Sequence, residues 1–224
     1  DLQAAVFNVD DTFCRTLAKH VLSAPVTTYG YGAAHVDIQT IQPVTQGSTI
    51  HISMNGVGYE LQTSLLGAFN ASNMMAAIAA ITTLFPEDIE KVLALIPKLQ
   101  AAPGRMEWFR VPNFATVVID FAHTPDALEN AIKTCQTHCD GEVWSVFGCG
   151  GDRDVGKRPL MGRVASEWSD HVVLTSDNPR SESPQKIIDE IRSGMTEAPV
   201  LEELDRAQAI RFVVENAATD DWVL

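Results

Sequence analysis

A chain of 224 residues, 46% apolar and 20% charged, can bury one large core or two small ones and is not disordered along its whole length. Its formal charge of −13, with only 16 Lys and Arg, argues against nonspecific nucleic-acid binding, which rests on many cationic contacts to phosphate. The four cysteines form no CxxC pair, and there is no secretory leader and no apolar run of bilayer-spanning length; zinc-finger and membrane-spanning classes are excluded, and reduced thiols suit a cytoplasmic protein.

The first residue is Asp1 rather than Met, and Asp221-Trp222-Val223-Leu224 reads as a strand stopped in mid-course, so the chain is expected to be a fragment. Residues 4–8 form a short apolar run, and the Asp10-Asp11 pair after it predicts the cap of a helix over about 11–20. Residues 26–62 alternate and predict short strands joined by tight turns around Gly47 and Asn55-Gly56. Ala71, Met74, Met75, Ile78 and Ile81 recur at helical spacing, and Asn70 and Asn73, three apart, share a face near the start of that helix. A second helix is expected from Pro86 through Ile89, Val92, Leu93 and Ile96. Gln100-Ala101-Ala102-Pro103-Gly104 breaks the pattern and places a domain boundary, giving domains 1–102 and 103–224.

Beyond the boundary the rhythm becomes strand, helix, strand, helix. Strands are expected near 116–121, 143–147, 171–175 and 220–224, and helices near 125–138, 158–169, 184–194 and 205–217. Pro125, Pro159 and Pro184 stand where the first helical residue belongs. The alternation predicts an α/β fold whose mostly parallel, Rossmann-like sheet has helices on both faces. Cys135 and Cys139, four apart on one such helix, read as core.

In sheets of this kind ligands sit beyond the carboxyl ends of the strands. Three polar motifs occupy those positions: Asp120-Phe121-Ala122-His123-Thr124-Pro125-Asp126, the run from Gly148 to Asp154, and Ser176-Asp177-Asn178-Pro179-Arg180. Each has a plain alternative. His123 before a helix could simply cap it, Gly148, Gly150 and Gly151 could serve a tight turn, and Asn178-Pro179-Arg180 could be an exposed turn. Three in register argue for one shared crevice. An Arg fork suits a carboxylate, and Arg153 and Arg180 with Asn178 suggest recognition of one. The clearest basic cluster is Arg153, Lys157, Arg158 and Arg163. Gly151-x-x-x-x-Gly156-Lys157 imitates a phosphate loop, but Arg158 stands where Ser or Thr should hold magnesium. The dinucleotide fingerprint also fails, with Arg153 at its third glycine.

Read together, these residues resemble the MurE-type Mur ligases, which join meso-diaminopimelate to UDP-N-acetylmuramoyl-L-alanyl-D-glutamate. The matching runs are Leu66-Gly67-x-Phe69-Asn70-x-x-Asn73, Gly104-Arg105-Met106-Glu107, Ala122 to Glu129, Phe147 to Asp154, Gly156 to Gly162 and Asp177-Asn178-Pro179-Arg180. The resemblance implies a three-domain, ATP- and magnesium-dependent enzyme, expected as a cytoplasmic monomer. Residues 1–102 would be the tail of its central α/β ATPase domain and 103–224 most of its carboxyl-terminal domain. It implies activation of the D-glutamate carboxylate as an acyl phosphate, attack by the amine of the incoming amino acid, and loss of phosphate.

Residue by residue, the resemblance implies that Asn73 and Asn70 contact the adenine side of ATP. Arg105 would reach its phosphates, Asp120 its ribose, and His123 would lie near the nucleotide. Arg153, Asp177, Asn178, Pro179 and Arg180 would bind meso-diaminopimelate; lysine-adding relatives usually lack the Arg of the Asp-Asn-Pro-Arg run. The family's phosphate loop, magnesium ligands and modified lysine are expected upstream of Asp1, and a Gly-Lys-Gly-His-Glu segment after Leu224. Phe121 replaces the usual Tyr and Val9 the usual Ala. The competing expectations are a lysine-adding Mur ligase, a folylpolyglutamate synthetase, and a noncatalytic module that keeps the fold.

Overall fold

The computed structural model describes residues 2–21 and 23–224. Two compact units divide the chain, the first ending at Gln100 and the second running from Ala101 to Leu224.

The first unit holds β1 (Ala5–Asn8), α1 (Thr12–Ala18), β2 (Val26–Gly30), β3 (Val36–Val44), β4 (Gly47–Met54), β5 (Val57–Thr63), α2 (Ala68–Leu84) and α3 (Ile89–Leu93). Its sheet runs β1-β2-β3-β4-β5, parallel through β3 and antiparallel beyond. Asn55 and Gly56 both have positive φ, 49° and 84°, the pairing that a two-residue hairpin turn requires. On β4, Ile50, Ile52 and Met54 point to one buried face, and α2 covers it with Ala71, Met74, Met75, Ile78 and Ala79. The sequence expectation placed Ile81 on that stripe, but Ile81 is 41% exposed. The helical period turns it outward and brings Ala79 in. The helix expected from Pro86 to Ile96 is broken. Short 3-10 turns at Pro86–Asp88 and Ile96–Lys98 flank the five residues of α3, and Pro97 supplies no N–H to continue it.

The second unit holds β6 (Glu107–Phe109), β7 (Thr116–Ile119), α4 (Pro125–His138), β8 (Val143–Phe147), α5 (Lys157–Trp168), β9 (His171–Thr175), α6 (Pro184–Arg192), β10 (Leu201–Glu203), α7 (Arg206–Asn216) and β11 (Trp222–Val223). The sheet runs β10-β9-β8-β11-β7-β6, parallel throughout except for β6. The chain leaves β7, passes over the place of β11 to β8, and steps outward to β9 and β10. It then returns to lay β11 between β7 and β8, so the winding direction switches there.

On one face α7 packs Ala209 and Val213 against Trp144, Val146, Val173 and Val223. Ser145 alternates with Trp144 and Val146 and therefore points to the other face. There its hydroxyl bonds that of Ser169, the cap residue of α5, at 2.6 Å, and Gln136 on α4 donates to the Trp168 carbonyl at 2.6 Å. Pro125 and Pro184 open α4 and α6, but Pro159 is the third residue of α5, where its missing N–H is still one of the free groups of a first turn. The three-residue edge strands β6 and β10 were not expected from sequence. Cys135 and Cys149 are buried, and all four cysteines are free thiols.

Candidate functional site

At the switch in winding, the carboxyl ends of β7, β8 and β11 open into a crevice of about 500 Å3. Leu128, Val146, Met161, Ile210 and Val223 give it apolar walls, and Asp120, His123, Lys157, Asp177 and Arg206 supply its polar groups. Asp120 follows β7 directly, and one of its carboxylate oxygens accepts from the Met106 backbone N–H at 2.9 Å. Met106 is wholly buried and has φ 51°, so the segment carrying Arg105 is pinned to the end of β7. The Arg105 guanidinium lies 5.0 Å from the centroid of the Phe121 ring, a cation–π distance.

His123 does not cap α4; Thr124 does, its hydroxyl accepting from the Ala127 N–H at 3.3 Å. The His123 ring instead packs edge-on to Phe121 at 5.3 Å, with Nδ1 3.0 Å from the Phe121 carbonyl. Lys157 donates to the His123 carbonyl at 2.7 Å, which binds the start of α5 to the loop after β7. Sequence reasoning met Lys157 in a basic cluster and in a rejected phosphate-loop lookalike, without assigning it to the crevice, and did not single out Arg206. The one available signal for Arg206 was its place directly after Asp205, which caps α7 by accepting from Ala207 and Gln208.

The loops after β8 and β9 form a second, more exposed rim. The Gly151 N–H donates to the Asn178 carbonyl at 2.8 Å, and Arg180 Nη1 donates to the Gly151 carbonyl at 2.7 Å. Asn178 Oδ1 accepts from the Arg180 N–H at 3.3 Å, while Arg180 takes the left-handed conformation at φ 48°. The two loops touch so closely that a Cβ on Gly151 would run into the Pro179 carbonyl. Over Gly150 the predicted carboxylate-binding residues converge. Arg180 Nη1, the Asn178 carbonyl oxygen and Arg153 Cγ lie 2.9, 3.7 and 3.8 Å from the point a Gly150 Cβ would occupy. The Arg153 guanidinium makes no hydrogen bond or ion pair among the described residues. Asp177 lines the crevice and links it to this rim.

The basic cluster expected from sequence does not hold as a unit. Arg158 is 0% exposed and spent on internal bonds: Nη2 donates to Glu182 at 2.7 Å and to the Gly150 carbonyl at 3.2 Å, and Nη1 to Glu182 at 2.9 Å and Glu190 at 2.6 Å. The Arg158 guanidinium, and next the Asp152 N–H, hold the Glu182 carboxyl down at about 2. Arg163 is exposed further along α5.

In the first unit, Asn70 Nδ2 donates to the Leu66 carbonyl one turn back at 2.9 Å, and Asn73 is exposed on the same side of α2. The helix begins after Gly67, whose φ of 84° and missing side chain leave its first N–H groups uncapped by any side chain. Among the described residues no three His, Cys, Asp or Glu side chains gather as a metal site, and no helix is long and apolar enough to cross a membrane.

Residues 104–224 match the family described as Mur ligase, glutamate ligase domain, and residues 1–81 match the Mur ligase middle domain. A UDP-N-acetylmuramoyl-L-alanyl-D-glutamate--2,6-diaminopimelate ligase of Alkalilimnicola ehrlichii is 45% identical over 100% of the chain, which covers 45% of that relative. A solved structure of a ligase with the same designation is 36% identical, with a TM-score of 0.70 over 99% of this chain and 47% of its own. The MurF ligase of Thermotoga maritima, solved in complex with ADP, has a TM-score of 0.76 at 15% identity over 99% of this chain and 49% of its own, a likeness of fold. The chain thus spans about half the length of the relatives it matches.

Proposed function

The chain belongs to the Mur ligase family, and on that premise we propose that the protein it forms part of is the ATP-dependent ligase that adds meso-diaminopimelate to UDP-N-acetylmuramoyl-L-alanyl-D-glutamate. The D-glutamate carboxylate attacks the terminal phosphorus of ATP, giving an acyl phosphate and ADP. The free amine of diaminopimelate then attacks the acyl carbon, phosphate leaves with the bonding pair, and the ammonium proton is lost to water. Work of this kind belongs in the cytoplasm, with small-molecule partners only and no nucleic acid, and the enzyme is taken as a monomer.

The residues divide the work by position. The family resemblance assigns Asp120 and His123, which line the crevice, and Arg105 to the nucleotide, and it separately assigns Asn70 and Asn73 of the first unit to adenine. Arg153, Asp177, Asn178, Pro179 and Arg180 hold the amino acid. Magnesium neutralises phosphate charge in reactions of this class, and among the described residues no acidic cluster gathers for it.

The observation that supports the reading is the meeting of Arg180 Nη1 and the Arg153 side-chain stem beside Gly150. Diaminopimelate differs from lysine by one carboxylate, and the Arg180 guanidinium with the free Arg153 side chain beside it would supply the cationic groups for that carboxylate. In the complete enzyme, Arg180→Ala should cost about 2–4 kcal/mol in apparent diaminopimelate binding, roughly a thirtyfold or larger rise in its KM. A KM for diaminopimelate at the wild-type value, with only ATP binding impaired, would remove the assigned role.

A further inference from the structure

We propose that Arg158 and Glu182 are positioning residues for the amino-acid site: without touching substrate, they fix the loops that aim Arg153 and Arg180. This rests on the carboxylate-binding reading of that rim. A fully buried guanidinium at the start of a helix is costly unless every bond it makes is worth keeping. Arg158 spends its bonds on the two loops concerned. From α5 it reaches the Gly150 carbonyl in the loop after β8 and both oxygens of Glu182 in the loop after β9. Its bond to Glu190 fastens the same guanidinium to α6.

Glu182 carries the connection further. Its Oε1, bonded to Arg158, also accepts from the Asp152 N–H at 2.6 Å. The Asp152 carboxylate in turn accepts from the Ser181 hydroxyl at 2.6 Å and the Ser181 N–H at 3.3 Å. Asp152 and Arg180, the residues next to Arg153 and Ser181, both hold positive φ, 51° and 48°, a conformation that non-glycine residues keep only when their surroundings enforce it. Arg158 and Glu182 are that enforcement. They hold the two turns face to face, so that the Arg180 guanidinium and the stem of the Arg153 side chain meet beside Gly150. Arg158 Nε is left without a partner, so the guanidinium is placed for the loops rather than for its own full satisfaction.

The test uses the complete ligase, with Glu182→Gln and Arg158→Lys measured beside Arg153→Ala. Glu182→Gln keeps the side-chain shape but turns one acceptor into an NH2 group that faces Arg158. It is the variant to rely on if the buried Arg158→Lys protein does not fold. Each variant is assayed with ATP, the nucleotide dipeptide and diaminopimelate varied in turn, and its thermal midpoint is recorded.

The expected result is a rise of about tenfold or more in the KM for diaminopimelate, as for an ångström-scale misplacement of binding groups, with the other two KM values near wild type. In an Arg153→Ala background the effect of Glu182→Gln should be smaller than in the wild type, since only the part that acts through Arg180 remains. A folded Glu182→Gln enzyme with a wild-type KM for diaminopimelate, while Arg153→Ala raises it, overturns the positioning role and leaves the ligase reading intact. A uniform loss of kcat with a lower thermal midpoint and unchanged KM values also overturns it, as the mark of a purely structural tie. If Arg153→Ala itself leaves the KM unchanged, the rim is not the amino-acid site and both readings fall.

Discussion

Gly150 and Gly151 show how much of the site is decided by atoms that are missing. A methyl group on Gly151 would enter the Pro179 carbonyl, so Gly151→Ala must push the two loops apart. The expected outcome is a higher KM for diaminopimelate together with a lower thermal midpoint, read from kinetics and a melting curve on the same preparation. Glu182 gives a second residue-scale expectation. Its carboxyl is held at about 2, below the ordinary 4.5, chiefly by Arg158. A group whose pKa falls on folding stabilises the fold above its unfolded value and loses that contribution as pH drops through its folded one. The tie is therefore complete above pH 4.5 and fades between there and about 2. The difference in thermal midpoint between wild type and Glu182→Gln should be greatest near neutrality and shrink below pH 4.5; a difference that stays constant down to pH 2 would contradict it. The placement of Arg153, Asn178 and Arg180 in loops beyond strand ends could be read from sequence because each follows a strand in a regular alternation. The burial of Arg158 could not, because Lys157-Arg158 at a helix start looks like a solvated pair, and its partners Glu182 and Glu190 lie 24 and 32 residues away.

At the scale of elements, the long helices and central strands were legible because several local signals agree on each. For α4 the signal read was Pro125 at the first position; the cap turns out to be Thr124 rather than His123, and Leu128, Ala131, Ile132 and Cys135 form the buried stripe. Thr124→Ala removes the cap bond and should cost about 1 kcal/mol, measurable by urea unfolding; no change in stability would mean that the cap bond is replaced by water at no cost. The three residues of β6 or β10 are too few to show an alternating pattern, and it is pairing with β7 and β9 that makes them strands. In α3 the apolar spacing continued to Ile96, but Pro97, with no N–H, could not carry helical hydrogen bonding on.

For the whole molecule, sequence and structure agree on a mixed α/β protein whose second sheet is Rossmann-like, because parallel strands joined by helices allow few other windings. Residues 1–224 hold no Gly-x-x-x-x-Gly-Lys-[Ser/Thr] loop, and they cover 45% of the Alkalilimnicola ligase. By themselves they are expected not to ligate, so a coupled assay on this chain alone should record no phosphate release dependent on diaminopimelate.

On the proposed reading, the rim beside Gly150 reads the carboxylate by which diaminopimelate differs from lysine. The direct measurement is the ratio of kcat/KM for diaminopimelate to that for lysine in the complete ligase, before and after Arg153→Ala. The expected result is a large preference for diaminopimelate in the wild type that falls by about tenfold or more in the variant, with the lysine rate little changed. A ratio left unchanged by Arg153→Ala would contradict it.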